Sequence, residues 1–398
     1  MKSNYKVVIV GGGASGLLCA VELLRGKNAL LGSEILILEG NDRVGKKLVA
    51  TGNGQGNLCN SDFSANYYHG DKTFINAFVS HANQINIEEY LTKLGIPLTK
   101  EQGKKYPISK QANAVLDLIR LNLSAKGCSV ITSQKVTAVK KSADGYSVKT
   151  SDNEYFASNV VLAFGGKAGK QFGTDGSSYS IAQKLGHTIT ETYPSLVQLK
   201  TDLNKIRGLK GLKERIKLTG YDGKIEKNTT VGEILFTEFG VSGNAVFNLS
   251  GYLTDAKKPW LKVEFLPDYS LEQIQNLLLE RQKLGYIPFE DTLTGIINKR
   301  IGQVIVKTAS DKSPQGIANA IKNFDLTVTG NLGFNYAQVT KGGVKTCEVD
   351  KDTMQSKLNK GLYIVGEALD VDGDCGGYNL TFAFVCGILS AQDIKQKV

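Results

Sequence analysis

The sequence predicts an α/β fold that is interrupted by a β-rich segment and then by a helical segment. The first 39 residues contain a strand, a glycine-rich turn, a helix and a second strand, which together form one βαβ unit. Short strands separated by polar turns fill residues 195–267, and residues 270–324 show helical periodicity. Glycine-rich turns return after residue 325, so we interpret the two middle segments as insertions into the first domain.

Composition indicates a large folded chain and excludes several classes of protein. Its 398 residues exceed a single small module, since a domain averages about 150 residues. Glycine supplies 44 residues, above the average of about 7%, while proline supplies only 7, which excludes a Pro/Gly-rich disordered chain. The 41% hydrophobic content is sufficient for a core. A net charge of +10 suits anionic small molecules, nucleic acid or anionic membranes and does not choose among them.

Cysteine spacing and hydropathy predict a cytoplasmic protein. The six cysteines form no CxxC pair and no metal-ligand spacing, so we expect no metal site and no disulfide scaffold. No apolar stretch approaches the roughly 18 residues of a membrane span, and the N-terminal apolar run is shorter than the core of a signal peptide. We therefore expect no membrane span. The sequence does not determine the oligomeric state.

Each element of the predicted fold has a local signal. Residues 5–10 are a β-branched run typical of a buried parallel strand, and the following helix is expected to end at Gly26. The second strand covers residues 34–39. In the next segment we predict one helix over 73–95 and another over 111–126. A meander of strands is predicted over 128–161.

The middle and last segments have boundary signals of their own. No helix-length periodic segment occurs between Ser195 and Pro267, which indicates a small β-barrel or a sandwich. Ser270 and Gln273 stand in capping-box spacing, and a serine before Pro314 marks a further helix start. The last apolar stretch, residues 380–391, predicts a helix that packs on the first sheet.

The glycine-rich turn carries the motif that points to chemistry. Gly11, Gly13 and Gly16 form a GxGxxG directly after the first strand and at the start of the helix. In such a turn the first glycine permits a tight bend, the second admits a pyrophosphate to the backbone, and the third lets helix and strand pack closely. The first helical residues, Ala14 and Ser15, add amide donors for the phosphates. The turn therefore predicts a bound dinucleotide.

Glu39 completes this fingerprint. It ends the second strand 23 residues after Gly16, where its carboxylate can accept hydrogen bonds from the ribose of an adenosine. An acid at this place would repel a 2′-phosphate, which argues against the phosphorylated nicotinamide cofactor in this site.

Further glycine-rich segments favour FAD over NAD. Gly45, Lys46 and Lys47 follow the second strand at the spacing of flavoproteins with two dinucleotide folds. A second glycine-rich turn lies within residues 51–60, and a third follows a strand within residues 162–176. Together they can line the flavin end of an extended FAD.

Five segments carry a resemblance to a known family: GGGASG, VGKKLVATGNGQGNLCN, LAFGGKAGKQFGTDG, GEILFTEFGVSGN and GLYIVGEALDVDGDCGGYNLTFAF. Their combination resembles the bacterial BaiN-like FAD-dependent oxidoreductases, which include an aminoacetone oxidase and flavin enzymes of bile-acid reduction. The resemblance implies a Rossmann-like three-layer FAD-binding domain of the two-dinucleotide-binding flavoprotein type, formed by residues 1–193 and 337–398. It also implies a β-barrel insert, 194–268 with 325–336, and a small helical insert, 269–324.

The resemblance implies flavin-contacting roles for residues of several segments, which are Gly52, Gly54, Asn57, Gly342, Gly343, Gly366, Glu367, Asp370, Gly377, Tyr378, Asn379 and Leu380. Together with the fingerprint residues named above, the predicted cofactor site also includes Thr51, Val136, Ala163, Gly165 and Gly166. The chain departs from the family pattern where Gln55 and Gly56 replace a usual Arg-Cys pair, and where Cys59 replaces a usual Thr. The lost arginine removes a cation that could have bound an anionic substrate or stabilised reduced flavin.

Two residues are candidates for catalysis. Tyr378 could protonate a substrate carbon after hydride transfer, although an aromatic residue beside a flavin more often packs or hydrogen-bonds with it. Cys59 could be a redox partner of the flavin, although a small residue standing in for Thr is the plainer explanation, and Cys375 has a similar claim. The histidines suggest no site, and His187 is expected to have a cap or core role.

We therefore predict an FAD enzyme that transfers two electrons to or from a small organic substrate. The leading subtype is reduction of an activated C=C bond, with NADH or NADPH binding transiently as electron donor; the alternative is oxidation of an amine by O₂. A second alternative is an RNA-binding or RNA-modifying flavoprotein, motivated by six cations in residues 205–217, although such a run is usually a solvated face and nucleic acid is not the favoured partner. A third is a flavoprotein without catalytic activity.

Overall fold

The computed structural model describes residues 4–398, which form two compact units. One unit contains the chain up to Tyr193 together with Val339–Val398, and the other is Pro194–Gln338. Residues 1–3 of the predicted FAD-binding domain lie outside the described residues.

Strands and helices alternate through the first unit, and the second unit begins with strands. The strands are β1 Asn4–Val10, β2 Ile35–Leu38, β3 Cys59–Asn60, β4 Tyr68–Gly70, β5 Leu98–Glu101, β6 Lys104–Pro107, β7 Ser129–Ile131, β8 Ala138–Ser142, β9 Gly145–Lys149, β10 Glu154–Leu162, β11 Tyr193–Ser195, β12 Leu199–Thr201, β13 Lys213–Asp222, β14 Ile225–Phe236, β15 Gly240–Ser242, β16 Pro259–Phe265, β17 Phe324–Asn331, β18 Val339–Lys341, β19 Leu362–Ile364 and β20 Val371–Gly373. The helices are α1 Ala14–Leu23, α2 Lys46–Ala50, α3 Lys72–Ile85, α4 Ile87–Lys93, α5 Ala112–Ala125, α6 Tyr179–Lys184, α7 Asn244–Ser250, α8 Leu271–Lys283, α9 Lys299–Thr308, α10 Pro314–Lys322 and α11 Tyr378–Lys397.

The first unit is built on one large sheet with the order β7-β2-β1-β10-β9-β8, in which β19 also pairs with β10. Strands β7, β2, β1, β10 and β19 run parallel, and the last four residues of β1, 7–10, are buried between its neighbours. Because parallel strands end at the same edge, the residues after Val10, Leu38, Leu162 and Ile364 meet there. The glycine turn, Glu39, Ala163 and the turn that begins at Gly366 lie at this edge.

The predicted meander over residues 128–161 is only partly correct. Strands β8, β9 and β10 do form an antiparallel meander. Strand β7, however, pairs in parallel with β2 at the other side of the sheet. The reason is that β7 follows helix α5, and a strand that returns after a crossover helix joins a sheet in parallel.

Two predicted helices in the first unit differ from those observed. The helix expected over 73–95 is two helices, because Asn86 adopts a left-handed conformation (φ 49°, ψ 78°) between α3 and α4. The helix expected over 380–391 extends over α11. It contacts the first sheet, since the Tyr363 hydroxyl on β19 donates to Asp393 Oδ2 at 2.7 Å, and it packs closely against α1. This approach needs a glycine, because a Cβ at Gly387 would lie 2.3 Å from the Ser15 carbonyl oxygen.

The second unit contains a closed barrel with the order β12-β15-β14-β13-β16-β17. It confirms the barrel and decides against the sandwich. Helix α7 is a correction, since no helix was expected there; with seven residues it is too short for a clear periodicity. Helices α8, α9 and α10 share one hydrophobic core with the barrel strands. The α8 capping box forms as predicted, with Ser270 Oγ accepting from Gln273 N.

Among residues 4–398 we find no helix with both the length and the apolarity that a membrane span requires.

Candidate functional site

The three glycines of the GxGxxG turn have different surroundings. A Cβ on Gly11 would lie 2.4 Å from the Ala163 carbonyl oxygen, and one on Gly16 would lie 2.1 Å from the Gly11 carbonyl oxygen. A Cβ on Gly13 would meet nothing within 4 Å. The first and third glycines therefore permit close backbone packing, whereas the second leaves open space at the start of α1. That space fits the pyrophosphate of a dinucleotide, which needs a bare backbone beside a helix N-terminus.

Glu39 is held at the edge of this turn. Its Oε2 accepts a hydrogen bond from Gly12 N at 2.8 Å, and its Oε1 accepts from Asn41 N at 2.8 Å and from Asn41 Nδ2 at 2.7 Å. A carboxylate has about four acceptor sites, so it keeps capacity for a ribose hydroxyl. The sequence argument missed Asn41, whose place two residues after the acid is a signal for a local side-chain to backbone contact.

Lys47 and Glu367 form an ion pair that joins two predicted segments. Lys47 Nζ lies 2.6 Å from Glu367 Oε2 and also donates to the Ala168 carbonyl oxygen at 3.1 Å. Glu367 Oε1 accepts from Thr340 N at 3.0 Å. Fully buried Thr340, a second missed residue, accepts through Oγ1 from Lys167 N at 2.7 Å and from Ala168 N at 2.9 Å. Gly166 packs closely against this threonine: a Cβ on it would lie 2.4 Å from Thr340 Oγ1, so the position needs a glycine.

The second glycine-rich segment turns tightly. Gly52 and Gly54 have positive φ values of 58° and 85°, and Thr51 Oγ1 donates to the Leu48 carbonyl oxygen. Asn57 Oδ1 is buried and has no hydrogen-bond partner among the described residues. An unpartnered buried acceptor is costly, so this atom is suited to a donor from a bound group. At the start of α2, Gly45 N donates to the Gly12 carbonyl oxygen, which ties the segment to the glycine turn.

The remaining predicted positions are mostly places of close packing. A Cβ on Gly342 would lie 2.2 Å from the Glu191 carbonyl oxygen, and one on Gly366 would lie 2.8 Å from Ser15 Oγ. Asp370 is half-buried, and burial raises the pKa of its carboxyl despite a hydrogen bond from Thr190. The other positions comprise one salt-bridged lysine at the start of α2, a buried valine before β8, a buried alanine after β10, three glycines with positive φ and two residues in the first turn of α11, which are Lys46, Val136, Ala163, Gly165, Gly343, Gly377, Asn379 and Leu380.

Tyr378, one of the two catalytic candidates, is already engaged. Its ring stacks on Tyr67 at 4.5 Å between centroids, and its hydroxyl donates to the Asp62 carbonyl oxygen at 3.0 Å. Burial, followed by the charges of Tyr67 and Asp62, raises the pKa of the Tyr378 hydroxyl. A buried phenol with these contacts is a weak acid, and its catalytic role stays a prediction.

Cys59, the second candidate, is a buried free thiol. Burial raises the pKa of Cys59 to about 12, despite the nearby charge of Lys105. The group is therefore protonated at neutral pH, and the nucleophile in thiol redox chemistry is the thiolate. Cys375 is also a free thiol, and burial raises its pKa too.

The histidines differ more than the sequence suggests. His187 is buried and bonded to Glu348 and Ser356, which confirms its predicted core role. His69, to which the sequence assigned no role, lies 2.9 Å through Nε2 from Asp374, which stands between the predicted flavin residues Asp370 and Gly377 in the chain. Only the fold could reveal this pair, because 305 positions separate the two residues.

Residues 4–398 contain no cluster of three or more His, Cys, Asp or Glu side chains that could hold a metal ion.

Comparison with known proteins gives the chain a family. Residues 5–393 match the model described as HI0933-like protein Rossmann domain. The chain is 34% identical to the 3-dehydro-bile acid delta(4,6)-reductase of Clostridium scindens, over 98% of this chain and 99% of that protein. It is 24% identical to a ribosomal RNA dihydrouridine synthase of Haemophilus influenzae, over 100% of both chains.

A solved structure shares the fold. The 3-ketosteroid-delta4-(5alpha)-dehydrogenase of Rhodococcus jostii RHA1 superposes with a TM-score of 0.51 at 14% identity, covering 98% of this chain and 97% of that chain. At this identity the likeness shows the fold alone. The match to the family model and the 34% identical relative both extend over nearly the whole chain, which confirms the resemblance to BaiN-like oxidoreductases. The chain belongs to the HI0933-like Rossmann-domain family and is an FAD-dependent oxidoreductase.

Proposed function

We propose that the protein reduces an activated C=C bond, one conjugated to a carbonyl group, with NADH or NADPH as the source of electrons. The observation that carries this proposal is the 34% identity to a bile-acid reductase over nearly the full length of both chains. The substrate class is a small organic molecule such as an unsaturated 3-oxo steroid acid.

The residues of the site fit FAD in defined roles. The amides at Gly13, Ala14 and Ser15 would bind the pyrophosphate, because only there does the turn leave open space. Glu39 would accept from the adenosine ribose, and Asn57 would use its unpartnered Oδ1 near the flavin end. FAD, when bound, supplies the hydride chemistry, while the protein binds it, orients it and sets the surrounding charge.

A reductase needs a source of electrons, and we propose NADH or NADPH as that donor. The sequence contains one GxGxxG fingerprint after a strand, and the FAD would occupy it. A nicotinamide donor would therefore bind transiently at the flavin, without a second dinucleotide domain.

Anaerobic stopped-flow absorbance at 450 nm tests this function. We expect NADH or NADPH to bleach the bound FAD, and a 3-oxo-4-ene bile acid to restore the colour with release of the saturated ketone. The competing function is amine oxidation. Failure of both nicotinamides to bleach the flavin, together with rapid bleaching by aminoacetone and release of peroxide in air, would refute the reductase.

Reduction of uridine in RNA is a second candidate, favoured by the similarity to a ribosomal RNA dihydrouridine synthase. Dihydrouridine is uridine with a reduced C5–C6 double bond, so the chemistry would be the same on a different substrate. The charges weigh against it. Of the six cations in residues 205–217, five form ion pairs with carboxylates, and these are Lys205, Lys210, Lys213, Arg215 and Lys217.

Filter binding to ribosomal RNA over a salt series distinguishes the two substrates. An RNA enzyme would bind with an affinity that falls steeply as salt rises, and would add two hydrogens to a uridine in mass spectrometry. Binding without salt dependence, combined with turnover of the bile acid, would leave the small-molecule reductase.

A further inference from the structure

We propose that His69, held by Asp374 and facing Asp372, is the catalytic acid that delivers a proton to the substrate carbon. The inference rests on the proposed function, since reduction of a C=C bond requires one hydride and one proton. It concerns a residue for which the sequence suggested no role.

The fold places His69 on a short two-stranded ribbon. Strands β4 and β20 pair antiparallel, with His69 opposite Asp372 and Tyr68 opposite Gly373. Directly opposed residues share one face of such a ribbon, and their Cβ atoms lie about 5 Å apart. Tyr68 is buried against Phe78 on the other face. The ribbon thus packs Tyr68 against Phe78 on one face and places the His69 imidazole beside the buried carboxylate of Asp372 on the other.

A second carboxylate fixes the imidazole. His69 Nε2 lies 2.9 Å from Asp374 Oδ1, and the two side chains are 24% and 20% exposed. Asp374 N in turn donates to the Tyr67 carbonyl oxygen at 2.9 Å. The contact with Asp374 therefore orients the ring, as a base or acid in an active site requires.

The charges around His69 favour its protonated form. Burial lowers the pKa of His69, but the hydrogen bond to Asp374 and the charges of Asp372 and Asp374 outweigh it and raise the pKa above 6.5. Lys341, on β18, acts in the opposite direction. These contacts raise the pKa of His69 and so favour the proton-donating form of the half-buried ring.

The ribbon is continuous with the proposed flavin contacts. Asp370 directly precedes β20, and Gly377 and Tyr378 follow its last residue by four and five positions. Asn379 binds the end of the strand, since its Oδ1 accepts from Gly373 N at 2.8 Å and its Nδ2 donates to the Gly373 carbonyl oxygen at 2.7 Å. Tyr378 is 4% exposed and its hydroxyl donates to a backbone carbonyl, whereas the His69 side chain is 24% exposed.

The step balances in atoms and electrons. The hydride provided by the proposed reaction adds to the β-carbon and the C=C electron pair moves onto the carbonyl as an enolate. The imidazolium N–H bond then breaks, the enolate pair forms the new C–H bond at the α-carbon, and His69 is left neutral until water reprotonates it.

NMR of the holoprotein labelled with ¹³Cε1-histidine provides the first test. The chain has three histidines, so substitution assigns each resonance. We expect His69 to titrate with a midpoint above 6.5 and Asp374→Asn to move that midpoint to lower pH. A His69 midpoint at or below 6.5, or one that Asp374→Asn leaves unchanged, would overturn the assignment.

Turnover of a 3-oxo-4-ene bile acid by the FAD-loaded enzyme provides the second. We expect His69→Gln to slow turnover by about 100-fold or more and to remove the loss of rate at high pH, with the FAD dissociation constant unchanged within about twofold. Asp374→Asn should move that high-pH limb to lower pH. His81→Gln is the matched control, because His81 Nε2 also lies 2.8 Å from a carboxylate, Asp352, and is also 24% exposed.

The outcomes separate the two proposals. If the wild-type enzyme does not reduce the bile acid, the proposed function fails and the assignment falls with it. If the wild type reacts and His69→Gln reacts equally fast with the same pH profile, the assignment alone is wrong. Weaker FAD binding by His69→Gln with unchanged turnover of the remaining holoenzyme would also overturn it, since His69 would then be a cofactor contact.

Discussion

Lys47 Nζ lies 2.6 Å from Glu367 Oε2, and this ion pair joins two segments that are 320 residues apart in the chain. It connects helix α2 with the turn after β19 and, through Thr340, with the turn after β10. One pair of charges therefore holds three of the predicted cofactor segments in register.

Removing this pair is expected to weaken FAD binding. Hydrogen bonds to charged groups contribute about 1.5–3 kcal/mol, so Lys47→Gln should raise the FAD dissociation constant by about 10- to 100-fold. Fluorescence titration of the apoprotein with FAD measures this. Lys93→Gln is the control, because Lys93 forms an exposed ion pair of the same 2.6 Å length with Glu89. Equal effects of the two substitutions would contradict the proposed role.

The glycine turn predicts a separation of binding from stability. Gly13→Val should abolish FAD binding and leave the thermal midpoint of the apoprotein within about 2 °C, because a Cβ there meets open space and its φ of −83° suits any residue. Gly16→Val should instead destabilise the apoprotein, since its Cβ would lie 2.1 Å from the Gly11 carbonyl oxygen. Differential scanning calorimetry and FAD titration distinguish the two. An apoprotein equally unfolded by both changes would refute this division of roles.

The conformation of Asn86, at the break between α3 and α4, predicts how substitutions there change the free energy of unfolding. Its side chain accepts a hydrogen bond from Glu89 N, and its backbone is left-handed. Asn86→Ala should lower the free energy of unfolding by about 1–2 kcal/mol, because both the cap and the favoured conformation are lost. Asn86→Gly should cost only a few tenths of a kcal/mol, since glycine adopts that conformation freely. Urea denaturation gives both values, and equal losses would rule out the conformational explanation.

His187 predicts a pH dependence of stability. Burial lowers the pKa of His187 below 6.5 in the folded protein, and Glu348 only partly opposes this. The unfolded chain then binds the proton first, so this residue's contribution is present above 6.5 and is lost as the pH falls through 6.5 toward the folded pKa. Urea denaturation between about pH 5 and pH 8 should show this loss in the wild type and not in His187→Gln.

His81, whose side chain is 24% exposed, provides the control for that experiment, since His81→Gln should keep the wild-type loss at low pH. A wild-type and His187→Gln difference that stays constant over the whole range would show that His187 has the same pKa in the folded and unfolded chain.

The sequence by itself determined the features that depend on residues close together in the chain. The glycine turn, the strand on either side of α1, Glu39 and the capping box at Ser270 all follow from local backbone rules, and all are present. The change from the βαβ pattern to short strands likewise indicated a barrel or a sandwich. The structure contains the barrel, which closes with six strands.

Tertiary structure alone decided the contacts between distant residues. The break in the helix predicted over 73–95 lies at Asn86, where a left-handed backbone conformation separates α3 from α4. The pairs Lys47 with Glu367 and His69 with Asp374 have no signal in the sequence. Each partner is a common polar residue, and only the tertiary fold brings the two members of a pair together. The cofactor could thus be named from local glycines, whereas the group proposed to protonate the substrate became visible only when β4 and β20 were brought side by side.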